Sequence, residues 1–116
     1  MRLCGGSLTL NKWHHISGTY NRNNFYLYVN GILEGSTSRS GDIVLDDTNL
    51  YIGEAYFGNR NFDGLIDDVR IYNYARTQKQ ILEDMNGGGP ASKMPVLHLS
   101  FDEGRGETVY DSSIYG

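Results

Sequence analysis

An Asn-Gly step at positions 30 and 31 separates two segments that have the residue alternation of β-strands. Both central residues of a type I′ turn need a positive φ, which Asn and Gly adopt readily, so this step predicts a two-residue hairpin turn. Residues 25–30 alternate strictly, which places Tyr26 and Tyr28 on one face of the strand and the apolar side chains on the other. Those apolar side chains are Phe25, Leu27 and Val29. We therefore expect a β-hairpin formed by residues 25–30 and 32–36.

The rest of the chain has the composition of short strands joined by tight turns. Its 116 residues include 15 Gly, 9 Tyr and only 2 Pro. Turn signals every ~8–12 residues are typical of an all-β sandwich or barrel. Further strands are expected within 8–20, 42–45, 50–53, 62–72 and 96–101. One short helix is expected near 77–86, because Thr77 can serve as its N-cap and Gln80 can complete a capping box.

Charge and length exclude several classes of protein. The formal net charge is −4 without a basic cluster, which argues against nucleic acid as a partner. No apolar run approaches the ~20 residues of a membrane-spanning helix, so membrane insertion is not expected. The first seven residues show no apolar segment of a signal peptide. The single cysteine, Cys4, cannot form an internal disulfide, and the length suits one small domain.

Four motifs resemble, in their order and wording, the laminin-G-like (LamG) domains of the concanavalin A-like lectin/glucanase superfamily. They are Trp-His-His-Ile-Ser-Gly-Thr-Tyr at 13–20, Leu-Tyr-Val-Asn-Gly at 27–31, Leu-Tyr-Ile-Gly at 50–53 and Phe-Asp-Gly-Leu-Ile-Asp-Asp-Val-Arg-Ile-Tyr-Asn at 62–73. The resemblance covers residues 8–85. It implies a concanavalin A-like jelly-roll β-sandwich that acts as a non-catalytic recognition or adhesion module. It also implies an extracellular or cell-surface location, with a glycan or a surface protein as partner.

A second resemblance lies in the tail, out of the family's order. Residues 97–104 and 109–113 look like the opening of a LamG-like domain, yet here they follow the Trp-His-His motif. The expected organisation is a core at 1–86, a Gly-rich linker at 87–95 and an opening-like segment at 96–116 that docks on the core. Three interpretations stay open: a junction between two repeats, a permuted domain, and a sandwich completed by a second copy. Unpaired sheet edges at 25–30 or 96–101 would favour a homo-oligomer.

The resemblance also implies a structural calcium ion. In such domains an Asp at the start of the last strand often shares a calcium ion with groups of the first strand, and Asp67 holds that position here. Asp102 and Glu103 of the tail are the expected additional ligands. Calcium takes 6–8 oxygen ligands, so a site where distant segments meet suits it. The alternative is that Asp67 caps exposed backbone N–H groups at a sheet edge.

Exposed aromatic side chains are the candidate glycan contacts. Tyr26 and Tyr28 share a strand face, and Tyr56 and Phe57 lie in a polar loop. Sugars stack on aromatic faces, and loops at the ends of sandwiches often carry function. The alternative for Tyr26 and Tyr28 is packing under a second sheet, as a sandwich requires of about half its strand residues.

The sequence predicts no catalytic site. Glycoside hydrolysis uses a pair of carboxylates, and the Glu-x-Asp-x-x-Glu strand of the superfamily's glycosidases is missing from this sequence. Asp67 and Asp68 are adjacent, so on a strand they would face opposite sides of the sheet. No Gly-x-Ser-x-Gly segment that could present a serine nucleophile is present. We therefore expect a binding module.

Overall fold

The computed structural model describes residues 7–54, 60–87, 95–101, 108 and 110–113. The chain divides into two compact units. The first comprises Met1–Ile43 and Tyr72–Met94, and the second comprises Val44–Ile71 and Pro95–Gly116. The expected domain boundaries at 86 and 96 stay a prediction.

A three-stranded antiparallel sheet forms the first unit. Its strands are β1 (Ile16–Tyr20), β2 (Asn24–Val29) and β3 (Ile32–Ser38), in the order β1-β2-β3. Asn30 and Gly31 have φ angles of 52° and 77°, as a type I′ turn requires, so the predicted hairpin is confirmed. The β2–β3 register shifts between Leu27 and Tyr28, where the longer β3 accommodates one additional residue.

The helix of the first unit confirms the capping prediction. Helix α1 spans Gln78–Met85, and its N-cap Thr77 accepts a hydrogen bond from the Gln80 backbone N–H at 3.3 Å. In return the Thr77 backbone N–H donates to Oε1 of Gln80 at 3.0 Å. Ile81 is fully buried and Val29 on β2 nearly so, and these are the two buried apolar residues in the described part of the chain.

The second unit contains a two-stranded antiparallel sheet. Strand β4 (Val69–Ile71) pairs with β5 (Leu97–Leu99), with Arg70 opposite His98. The backbone N–H of Val96 extends this pairing by donating to the Ile71 carbonyl at 2.7 Å. The tail strand therefore lies beside the last strand of the LamG-like segment.

Three expected strands differ from the structure. Residues 42–45 and 50–53 are not strands, and the segment 62–72 narrows to β4. Within the described ranges the only pairing near these segments is an isolated bridge between Glu54 and Asn61. A strand needs a hydrogen-bonded neighbour, and apolar alternation alone does not supply one. Asp68, with a φ of 55°, also breaks the extended chain directly before β4.

The described elements confirm a mostly β chain with a single short helix. None of the described helical segments is long and apolar enough to cross a membrane. Many large apolar side chains remain on the surface of each unit, among them Leu10, Val44, Leu45 and Leu65.

Candidate ligand-binding groove

An open groove of about 450 Å³ lies in the first unit between the Tyr26/Tyr28 face of the sheet and the segment that leads into α1. The sheet contributes Tyr26, Tyr28 and Thr19, and Asn21 comes from the turn after β1. The segment before α1 and its first residue contribute the opposite wall. The lining residues are Thr19, Asn21, Tyr26, Tyr28, Ala75, Arg76, Thr77 and Gln78. The structure thus brings together two of the four predicted ligand-binding residues, Tyr26 and Tyr28.

The two tyrosines are positioned by the two-residue period of β2. Tyr26 pairs with Thr19 of β1, and Tyr28 pairs with Ser17, so both rings belong to one face of the sheet. Their ring centroids lie 6.4 Å apart with an interplanar angle of 44°. Both residues are half-buried. They form an aromatic floor that remains partly open to solvent.

A buried ion pair fixes the opposite wall. Nε of Arg76 donates to Oδ2 of Asp84 at 2.9 Å, and a second guanidinium nitrogen donates to Oδ1 at 2.5 Å. The side chains of Arg76 and Asp84 are only 4% and 7% exposed. This bidentate ion pair links the segment before α1 to the helix itself.

Two tyrosines complete this network. The Tyr72 hydroxyl donates to Oδ1 of Asp84 at 2.9 Å, and Arg76 donates to the Tyr74 hydroxyl at 2.6 Å. The guanidinium carbon of Arg76 also lies 4.1 Å from the centroid of the Tyr72 ring. Burial by itself lowers the pKa of Arg76, but the hydrogen bonds and the charge of Asp84 outweigh it and raise that pKa. Arg76 is therefore a permanent, compensated cation.

The sequence contains a signal for this pair that none of the four family motifs includes. Asp84 follows Ile81 by three residues, so it shares the buried face of α1 with a fully buried apolar side chain. An acidic residue at such a position needs a cationic partner. Arg76, just before the N-cap, is within reach once the helix has formed.

Gln78 and Asn21 supply the polar rim of the groove. Nε2 of Gln78 donates to the Gly31 carbonyl at 2.9 Å, which links α1 to the hairpin turn. Oδ1 of Asn21 accepts from the backbone N–H groups of Asn23 and Asn24 at 3.0 and 2.8 Å. For the part of the chain that is described, the remaining amide groups, Oε1 of Gln78 and Nδ2 of Asn21, have no hydrogen bond to another residue.

The predicted calcium ligands are not assembled among the described residues. Asp67 is exposed, and its Oδ1 accepts a hydrogen bond from the Asp68 backbone N–H at 2.8 Å, which is the capping alternative. Asp102 and Glu103 lie outside the described residues, as do Tyr56 and Phe57. No group of three potential metal ligands occurs in the described ranges. The calcium site therefore stays a prediction.

Polar contacts instead join the two strands of the second unit. Nε2 of His98 lies 2.5 Å from Oδ1 of Asp68, and Arg70 binds Oδ2 of the same carboxylate at 2.9 Å. Oδ1 of Asp111 accepts from the backbone N–H groups of His98 and Ser113 at 3.0 and 2.8 Å. These hydrogen bonds lower the pKa of Asp111. The cluster supports the β4–β5 pairing.

Comparison with known proteins identifies the family. A family model of the concanavalin A-like lectin/glucanases superfamily, Laminin_G_3, matches residues 3–82, which is more than half of the chain. The chain belongs to this family. The resemblance stated from the four motifs is therefore confirmed, and with it the concanavalin A-like fold class.

Several relatives of this Laminin_G_3 chain are much longer than it. Mouse usherin is 29% identical over 81% of the chain, and human pappalysin-1 is 32% identical over 76%. The chain spans only 2% and 6% of the length of these two proteins. The crystal structure of an S-layer domain-containing protein from Clostridium thermocellum matches 67% of the chain and 41% of its own length. Its TM-score is 0.59 and its identity 27%.

Proposed function

We propose that this chain is a non-catalytic recognition module of a secreted or surface protein, and that its groove binds carbohydrate. The observation that carries the proposal is the pair of tyrosine rings on one face of β2, next to polar side chains. Aromatic rings offer apolar faces to the C–H groups of a sugar, and neighbouring amides can bond its hydroxyl groups. Family membership supports the extracellular setting.

The composition of the groove supports binding without catalysis. None of its eight lining residues is an aspartate or a glutamate. Glycoside hydrolysis requires two carboxylates on either side of the scissile bond. A sugar bound in this groove would therefore meet no carboxyl group from the described lining residues.

Retention on a glycan panel tests this proposal. We expect Tyr26→Ala and Tyr28→Ala each to lower retention about fivefold, since loss of a stacking ring costs of order 1 kcal/mol. The matched control is Trp13→Ala, which removes an exposed ring that does not line the groove. Equal retention by wild type and both tyrosine variants, with unchanged melting temperatures, would contradict the proposal. A Tyr56→Ala/Phe57→Ala variant tests the predicted loop contacts in the same panel.

A structural calcium ion remains part of the proposal and has its own test. Asp67, Asp102 and Glu103 are the proposed ligands, and carboxylate oxygens are those that calcium prefers. The site would be supported if the melting temperature is higher in calcium chloride than in chelator and if Asp67→Asn abolishes that difference. An equal melting temperature in both conditions would remove calcium from the proposal.

A second candidate function is that of a structural or assembly module without a small ligand. The observation that favours it is the exposure of apolar side chains, with Val44 and Leu45 89% and 90% exposed. Apolar surface of this kind is typical of interaction sites. Self-association without retention of any glycan would favour this candidate.

A further inference from the structure

The charge of the groove restricts the class of sugar that fits it. Seven of the eight lining side chains are uncharged, and Arg76 is the exception. Two of its guanidinium nitrogens bind Asp84 and a third binds the Tyr74 hydroxyl. Since both partners of the ion pair are buried, the carboxylate neutralises the guanidinium within the wall. The groove therefore presents no uncompensated charge from its described walls.

Two basic residues, Arg22 and Lys79, lie next to the rim residues Asn21 and Gln78 in the chain, and neither is among the described residues that line the groove. Arg22 follows the lining residue Asn21, and its guanidinium lies 2.6 Å from Oδ1 of Asp42. Sites for sulfate or carboxylate groups use guanidinium or ammonium donors that are free to bind the anion. The one cation among the described lining residues, Arg76, is already paired with Asp84, so an anionic sugar in the groove would lose hydration without gaining such a partner, which costs free energy.

The hydrogen-bonding groups of the rim match hydroxyl groups instead. Nδ2 of Asn21 is a donor and Oε1 of Gln78 is an acceptor, and neither is hydrogen-bonded to another described residue. A sugar hydroxyl can both donate and accept a hydrogen bond, so it can satisfy either group. The two tyrosine rings, 6.4 Å apart, provide two separate apolar surfaces.

Building on the proposed carbohydrate function, we propose that the groove selects uncharged oligosaccharides, with at least two sugar units in contact with Tyr26 and Tyr28. Sulfated and uronic-acid glycans are discriminated against because the wall cation is already neutralised by Asp84. The groove distinguishes charged from uncharged sugars by charge and hydrogen bonding. The two tyrosine rings contribute affinity for both kinds of sugar.

Matched pairs of probes test this selection. The probes are neutral oligomers of glucose, mannose, galactose and N-acetylglucosamine, each measured beside its O-sulfated form. We expect at least one neutral oligomer to bind, its sulfated form to bind at least about tenfold more weakly, and its monosaccharide to bind more weakly too. Affinity for the neutral oligomer should change less than about twofold between ~0.05 and ~0.5 M NaCl, because salt screens charge pairs.

A charge-adding variant tests the cause. Gln78→Lys places an ammonium group on the rim and should improve binding of the sulfated form; Gln78→Met is the uncharged control. If wild type binds the sulfated form more tightly than the neutral form, and Tyr28→Ala loses that binding, the proposed selection is wrong. The carbohydrate function would still stand. Absence of gain in a folded Gln78→Lys protein would also overturn it. Failure of the folded wild type to bind any probe would overturn the carbohydrate function itself, and the selection with it.

Discussion

Asp84 and Arg76 depend on each other, because neither charge is solvated once the first unit has folded. Asp84→Ala leaves the guanidinium buried without its counter-ion, and loss of one partner of a buried pair costs about 3–5 kcal/mol. We expect a correspondingly lower free energy of unfolding in urea titrations. The matched control is Asp42→Ala, which breaks the exposed pair with Arg22 and should leave stability nearly unchanged. Similar decreases in the free energy of unfolding of both variants would show that burial of the Arg76–Asp84 pair adds nothing to stability.

Asp111 gives a pH-dependent contribution to stability. Its pKa is lowered in the folded state by the backbone N–H donors of His98 and Ser113. A carboxyl whose folded pKa lies below its unfolded value, about 4, stabilises the fold above that value and loses this contribution as the pH falls through the folded pKa. Melting temperatures of wild type and Asp111→Asn should therefore differ at about pH 6 and converge as the medium is acidified below about pH 4. A difference that widens in acid would contradict the assignment.

Individual site residues differed in how well the sequence predicted them. Tyr26 and Tyr28 could be assigned to one face because alternation along a strand is a local property. Arg76 and Asp84 could not be assigned as a pair from spacing alone, since their contact depends on where α1 begins and which face it buries. For Asp67 the local capping bond is visible, while the proposed calcium contacts depend on tail residues outside the described ranges.

At the level of elements, Gly31 joins the hairpin turn to α1. Its φ is 77°, and a Cβ atom there would collide with the Leu82 side chain. Gly31→Ala therefore combines left-handed backbone strain of about 1–2 kcal/mol with steric overlap, and should lower the melting temperature measurably. Gly18→Ala on β1 is the control, because a Cβ atom there would meet no other atom within 4 Å and stability should hold. Equal melting temperatures for the two variants would contradict this role.

The elements that were predicted well are those with local signals. The Asn-Gly turn defines the β2–β3 hairpin, and the Thr77–Gln80 capping box defines the start of α1. Residues 42–45 and 50–53 are rich in apolar residues, but the described ranges contain no ladder for them beyond the Glu54–Asn61 bridge and the hydrogen bond from the Phe62 N–H to the Gly53 carbonyl. Pairing is a non-local property, and the sequence of one strand does not contain it.

At the scale of the whole molecule, the exposed apolar side chains predict self-association with a second copy. Val44 and Leu45 are nearly fully exposed, and burial of each such side chain is worth about 1.5–3 kcal/mol. Light scattering at micromolar concentration should give a mass above the 13.0 kDa of one chain. Val44→Lys/Leu45→Lys should lower that mass to the monomer value. The control Ser40→Lys/Asn49→Lys adds the same charge at polar positions and should leave the mass unchanged. A monomeric wild type would contradict the prediction.

The family was predictable from motif order, and the tail was expected to dock on the core. Residues 97–104 resemble the opening of a domain, and the structure shows that β5 pairs with β4 in the same chain. Sequence order alone allowed this strand to pair within the chain or elsewhere. The register of Arg70 opposite His98, with Asp68 bound to both, explains the observed pairing.

The β4–β5 pairing has a consequence for how the protein folds. The β2–β3 hairpin closes over two residues and can form within microseconds, whereas Ile71 and Leu97 must meet across the whole of α1 and the Gly-rich segment. Closing a longer loop costs more chain entropy, so the tail pairing is expected to form late. During synthesis on the ribosome, β4 emerges before β5 exists. Its edge is then open to strands of neighbouring nascent chains, and this interval is when intermolecular mispairing is most favoured.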